Sequence, residues 1–230
     1  MSRLFVSEEL GLAISVIKSG LAILQETTAA RTNAFLFMLA LSTGIERLMK
    51  ILLCLRSLDE EGRFLTEQEL RAFGHNLVRL NEAVVDQCFT QEALRRPALQ
   101  EDFDFIRNDP LLQEVLQVLS DFALRDRYVY MDAINDPNGF SGWLEDRWST
   151  IERMTMPADE INEMLMQRRL REVISTATQS IVICLERFLR ALARTVTLSG
   201  LSPEARSMGT AVWDFLMLRD EELGQNIYEV

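Results

Sequence analysis

The chain has 230 residues, 48% of them hydrophobic and 26% charged, a globular composition that excludes a disordered or low-complexity chain. Its formal net charge of −11 repels polyanions at long range, which argues against non-specific nucleic-acid binding by the whole surface and leaves only local RNA contact. Only 10 Gly and 5 Pro interrupt it, so long helices are expected, in an all-α fold with little or no sheet.

The opening MSRLFVSEEL has no apolar signal-peptide core, and a cytoplasmic location is expected. Ser7 before Glu8 and Glu9 predicts the start of a first helix, which runs to about Gln25 with Leu10, Ile14, Ile17, Leu21 and Leu24 on one face. A second helix is predicted from about Ala29 to Leu55. Its first half is apolar nearly all round, so neighbours should surround it. The apolar run Ala34–Ile45 is about 12 residues against the roughly 20 a membrane span needs, so no membrane association is expected.

Glu46 and Arg47 stand out among the Leu, Ile and Met of this helix. They either face an exposed strip, meet partners across the bundle, or line a polar cleft. Glu46 and Lys50 are four apart, the favourable order for a helical ion pair.

Thr66-Glu67-Gln68-Glu69 has the form of a capping box opening a short helix that breaks at Gly74. Another helix follows from about Asn76 to Cys88. His75, the only histidine, lies between them. On an unbroken helix Arg71, His75 and Arg79 would share one face; with a break, His75 sits at a helix start. Any chemistry needing an imidazole must use this residue.

Asp109-Pro110 and Ser202-Pro203 each put a capping side chain before a proline, and predict helices near 110–125 and 203–218. Between them, 126–142 is the least regular stretch. Arg125, Arg127, Tyr128, Tyr130 and Asp132 make it a polar-aromatic group at a helix end, and its aromatic content favours a packed loop over a linker. One domain over 1–230 is therefore expected, with a sub-division, if any, near 126–142. Asp136-Pro137-Asn138-Gly139 fits a plain turn, since a calcium loop placed there would have Ile134 as its first ligand. Pro157 predicts a long helix, or a pair, ending near Thr197 and Gly200.

Cys54, Cys88 and Cys184 are odd in number and dispersed, which suits reduced core thiols. No zinc or di-iron ligand pattern, Walker loop or dinucleotide fingerprint is present, so no metal and no cofactor are expected. The basic clusters Arg95-Arg96 and Arg168-Arg169-Arg171 fit solvated helix faces. Ile45-Glu46-Arg47-Leu48-Met49-Lys50 and Leu185-Glu186-Arg187-Phe188-Leu189-Arg190 share one pattern, a hint of internal symmetry.

The run Phe35–Leu53, containing Glu46 and Lys50, followed by Gly74-His75-Asn76-Leu77-Val78-Arg79-Leu80, resembles the HEPN (higher eukaryote and prokaryote nucleotide-binding) superfamily. Arg127-Tyr128 and Asp132 look similar to a segment of uncharacterised bacterial relatives. The resemblance implies a single antiparallel helix bundle with additional C-terminal helices, often forming homodimers, in bacterial stress or defence systems. Active members are metal-independent ribonucleases with an Arg–polar–spacer–His motif. His75 would take the family's histidine and Arg71 its arginine, but the three residues between them fall short of the family's spacer and Ala72 replaces the polar residue.

The resulting expectation is a non-catalytic helical module that binds a partner protein or a nucleotide-like ligand through Glu46, Lys50, Asn76, Arg127, Tyr128 and Asp132. The alternatives are a ribonuclease using His75 with Arg71 or Arg79, and a scaffold without ligand.

Overall fold

The structure, a computed structural model, describes residues 2–26, 34–136, 142, 144–167, 169–201 and 203–229. The fold is all-α, with twelve α-helices and no strand among the described residues. No helix among them is long and apolar enough to cross a membrane.

α1 (Ser2–Glu26) starts five residues before the predicted Ser7 cap. Ser7 lies inside the helix, next to Val6, which packs against the core, while Leu4 and Phe5 before it are exposed. Leu10, Ile14, Ile17, Leu21 and Leu24 are all buried, as their spacing requires. α2 (Ala34–Glu61) outruns its predicted end at Leu55; Arg56 pairs with Asp59 and Glu60, which prolongs it by salt-bridged turns. Residues 29–33 of the prediction lie outside the described residues.

α1 and α2 pack antiparallel: Glu9 meets Arg47, Ile17 meets Gly44, and Gly20 meets Leu41. The Arg47 guanidinium donates to both Glu9 oxygens, at 2.6 and 2.9 Å. Glycine permits the close crossing. A Cβ on Gly44 would sit 2.6 Å from Ile17 Cγ1 and 3.0 Å from the Ala13 carbonyl.

α3 (Glu67–Ala72) opens on the predicted capping box: Thr66 accepts from the Glu69 amide and Glu69 accepts from the Thr66 amide. Gly74 then turns the chain with φ +60°, a left-handed value that disfavours side chains with a Cβ. Asn76 caps α4 (Leu77–Cys88) by accepting from the Arg79 amide at 2.9 Å.

α5 (Pro97–Asn108) is a helix the sequence reading passed over. Asp109 caps α6 (Pro110–Leu124) as predicted, accepting from the Leu112 amide. The stretch 126–142 is more regular than expected, with a 3-10 turn at Asp126–Tyr128 and α7 (Val129–Asn135); the Asp136–Gly139 turn lies almost wholly outside the described residues. Val129 and the buried Asp126 tie this segment down, the latter through an ion pair to Arg147 at 2.7 Å. Burial pushes the Asp126 carboxyl up, opposed by Arg147.

α8 (Leu144–Met154) follows, and the helix predicted after Pro157 is a pair, α9 (Ala158–Met166) and α10 (Leu170–Leu198), ended at Gly200 with φ +87°. The helix predicted at 203–218 is instead two short pieces, α11 (Pro203–Ser207) and α12 (Trp213–Leu216), separated by a 3-10 turn. Met208, Val212 and Phe215 are buried here at spacings of four and three, but the backbone takes the tighter turn between them.

α2 and α10 are the axes of the packing. α2 touches α1, α4, α6, α8 and α10; α10 touches α1, α2, α5, α6, α8, α9, α11 and α12. One hydrophobic cluster runs from Leu10 to Leu218. Edge-on ring contacts, Phe37 to Trp148 at 4.6 Å and Phe35 to Phe122 at 5.5 Å, join α2 to α8 and α6, so segments on both sides of 126–142 share it. Cys88 and Cys184 are buried, and Cys54 is partly so.

Candidate functional site

Helical spacing puts Glu46 and Lys50 on one face of α2, toward the corner where Gly74 joins α3 to α4. Lys50 Nζ donates to Glu46 Oε1 and to the Gly74 carbonyl, each at 2.8 Å. His75 Nδ1 lies 2.9 Å from the other carboxylate oxygen, Glu46 Oε2. Glu46 is only 9% exposed, so its charge must be compensated locally; a lysine on one oxygen and an imidazole on the other do so. Of the alternatives open from sequence, Glu46 therefore meets partners across the bundle.

An ionised carboxylate only accepts, so His75 Nδ1 is the donor. In the neutral ring Nε2 then carries the lone pair. The His75 side chain is 56% exposed.

α6 completes the corner. Ser120 Oγ accepts from the buried Leu77 amide at 3.1 Å and donates to Asn76 Oδ1 at 3.3 Å. Asn76 thus serves both as helix cap and as a link to α6. Ser120 was missed from sequence; the available signal was its place on the same helical face as Leu112 and Leu116.

Glu46, Lys50, His75 and Asn76 are brought together; the other candidate residues are not joined to them. Gly74 breaks the helix, so the continuous Arg71–His75–Arg79 face does not form. Arg71 is exposed and paired with Glu67 at 2.6 Å. Arg79 is exposed on the first turn of α4. Arg127, Tyr128 and Asp132 belong to the 126–135 segment, and no hydrogen bond or ion pair among the described residues links them to the corner. Arg127 Nε is buried there with no hydrogen-bond partner among the described residues, while Tyr128 and Asp132 are exposed.

A second polar cluster lies on α10, where the sequence had shown only a repeated hexapeptide. Glu186 is fully buried and accepts from the Gly224 amide at 2.5 Å, Tyr228 Oη at 2.6 Å and Asn226 Nδ2 at 3.3 Å. Arg190, one turn on, donates to the Leu218 carbonyl at 3.0 Å and to Asp220 Oδ1 at 2.7 Å. Burial, with the Glu186 carboxylate beside it, holds the Tyr228 phenol well above its usual range. Farther along α10, Arg194 pairs with the buried Asp102 of α5 at 3.1 Å. Burial pushes the Asp102 carboxyl up, opposed by Arg194.

Of the two basic clusters, Arg96 donates to the Leu198 carbonyl and Arg169 pairs with Glu172, while Arg168 lies outside the described residues. Among the described residues, no three His, Cys, Asp or Glu side chains converge as a metal site. Comparison with family models, curated proteins and solved structures finds no match for this chain.

Proposed function

We propose that this chain is a non-catalytic, HEPN-like helical module that binds a phosphate-bearing, nucleotide-like ligand at the α3–α4 corner. One observation carries the reading: the single histidine is fastened by Nδ1 to a buried carboxylate already held by Lys50, while Arg71 is engaged in its own pair with Glu67. Cleavage of a phosphodiester needs a base and a cation converging on one phosphate, and the Arg71 pairing argues against that arrangement. The exposed ring edge of His75, with Arg79 on the first turn of a twelve-residue helix, gives an otherwise acidic protein a local surface suited to an anion. Homodimer formation, a cytoplasmic location and a role in bacterial stress or defence belong to the same proposal through the family resemblance.

The ribonuclease reading draws on the same hydrogen bond, because Glu46 fixes the tautomer that leaves Nε2 free to accept a proton. A protein partner is favoured instead by the 126–135 segment, where Tyr128, Met131 and Ile134 recur every third position and are 61%, 62% and 74% exposed.

Titration of the full chain with AMP and ADP, followed by amide NMR shifts, separates these readings. Saturable shifts at His75–Arg79 that vanish in His75→Ala and weaken in Arg79→Ala are expected, with single-stranded RNA left intact at high protein concentration. RNA cleavage lost in His75→Ala would install the ribonuclease instead, and no shift at the corner with either nucleotide would sink the ligand reading.

A further inference from the structure

The segment 218–229 runs back along the groove between α1 and α10; after a 3-10 turn at Asp220–Glu222 it is extended, held by polar contacts and by Leu223 and Tyr228 packed against the core. Its residues alternate. Gly224, Asn226 and Tyr228 are partly buried and bond inward, while Gln225, Ile227 and Glu229 are exposed. Alternation of this kind marks a chain laid flat on a surface.

The groove reads both backbone and side chains. The Gln25 amide of α1 donates to the Asn226 carbonyl at 2.6 Å and accepts from the Tyr228 amide at 3.1 Å. Those are the two bonds that one residue of a parallel strand would make to positions i and i+2. Opposite it, Glu186 takes a backbone amide, a carboxamide and a phenol. Gly224 has φ +76°, and a Cβ there would sit 2.5 Å from Ile183 Cγ1, so glycine is required on two counts. Main-chain pairing with pockets for alternate side chains is how extended peptides are recognised. The contacts specify Gly, any residue, Asn, any residue, Tyr.

The first clamp makes a revealing comparison. Glu46 and Lys50 hold His75 and Gly74, while Glu186 holds Gly224, Asn226 and Tyr228 and Arg190 holds the preceding Leu218 and Asp220; in both, the base four residues after the glutamate bonds a backbone carbonyl. The first gripped segment continues into α4, whose buried face fixes it. Beside the second the groove stays open as a cavity of ≈ 540 Å³ bordered by Gln25, Gln179, Gly224 and Tyr228.

We infer that the α1–α10 groove is a peptide-binding site occupied in cis by Leu223–Tyr228, and that the same segment of a second copy of this chain can take its place, exchanging straps between two copies. Exchange needs no new contacts, because each groove regains the bonds it gave up. This is independent of the nucleotide reading of the α3–α4 corner.

The test uses the full chain and a fluorescein-labelled peptide of residues Arg219–Glu229. Saturable binding is expected. Tyr228→Phe in the peptide should weaken it about tenfold, the worth of a hydrogen bond to a charged acceptor. Tyr228→Phe in the chain should do the opposite and tighten capture of the wild-type peptide, because the cis strap then competes less well; Asn226→Ala in the chain gives the same sign without touching the phenol. Sedimentation should show a concentration-dependent dimer that excess peptide dissolves. Absence of saturable binding to both the wild-type and the folded Tyr228→Phe chain overturns the inference. So does peptide binding by a chain that remains monomeric at every concentration, since strap exchange between copies is then lost.

Discussion

Adding one methyl group at Gly44 tests whether the α1–α2 crossing is as close as described. Its Cβ would lie 2.6 Å from Ile17 Cγ1, about 1 Å inside ordinary carbon contact. A rotamer change of Ile17 relieves only that clash. The Ala13 carbonyl and the Ile17 amide, both at 3.0 Å, are backbone and move only if the helices separate. Overpacking of this sort costs about 1–3 kcal/mol, and the helix-propensity gain of alanine over glycine returns at most about 1 kcal/mol. Gly44→Ala should therefore lose roughly 1–2 kcal/mol net. Gly11, on the outer face of α1, is the control: a Cβ there meets nothing within 4 Å, so Gly11→Ala should gain about 0.5–1 kcal/mol. Urea unfolding followed at 222 nm measures both; with a slope near 3 kcal/mol/M the midpoints should move about 0.5 M down and 0.2–0.3 M up. A Gly44→Ala midpoint at or above that of the parent chain would refute the geometry.

Three further outcomes follow from the polar contacts. Ser120→Ala strips the acceptor from the buried Leu77 amide and should cost about 1–3 kcal/mol. Asn76→Ala should cost about 1 kcal/mol as a lost cap, and the double variant should fall short of the sum because Ser120 and Asn76 share a hydrogen bond; strictly additive urea midpoints would contradict the link to α6. Asp102 has its folded pKa raised above the 3.8 of an ordinary Asp, so its share of stability is complete below that value and is lost as pH rises through the folded pKa. Asp102→Asn removes that loss, so the variant should gain on the parent chain as pH increases from 3 to 7; a constant difference across the range would show that the carboxyl is not perturbed.

Local signals carried much of the architecture. The caps at Thr66 and Asp109, the helix start near Asn76, the break at Gly74 and the stop at Gly200 are each set by a few neighbouring atoms, and each appears where its residues place it. What failed depended on distant contacts. Ser7 has the chemistry of a cap, but α1 begins before it and Val6 packs against the core. The apolar residues of 203–218 have helical spacing, yet their burial is met by α11, a 3-10 turn and α12.

At the candidate site, the i to i+4 pairing of Glu46 and Lys50 was legible because it lies within one helix. The approach of His75 to Glu46 was open to expectation only as a partner across the bundle, since twenty-nine positions and a turn separate them. Gln25 and Tyr228 carried no local pattern at all, and Ser120 only its register on the apolar face of α6: each bonds a segment remote in sequence. The hexapeptides around Glu46 and Glu186 were visible as text, but not as two grips on glycine-led segments.

The burial of the thiols makes the chain its own chemical clock. Desolvation pushes Cys88 up to about 12 and Cys184 higher still, so almost no thiolate exists at either at neutral pH and alkylating reagents must wait for the surrounding helices to part. Cys88 sits at the C-terminal end of α4 and Cys184 on α10, which lets two rates timed in a single tube register the parting of the helices around each separately. Cys54, only partly covered, supplies the fast reference against which both are read.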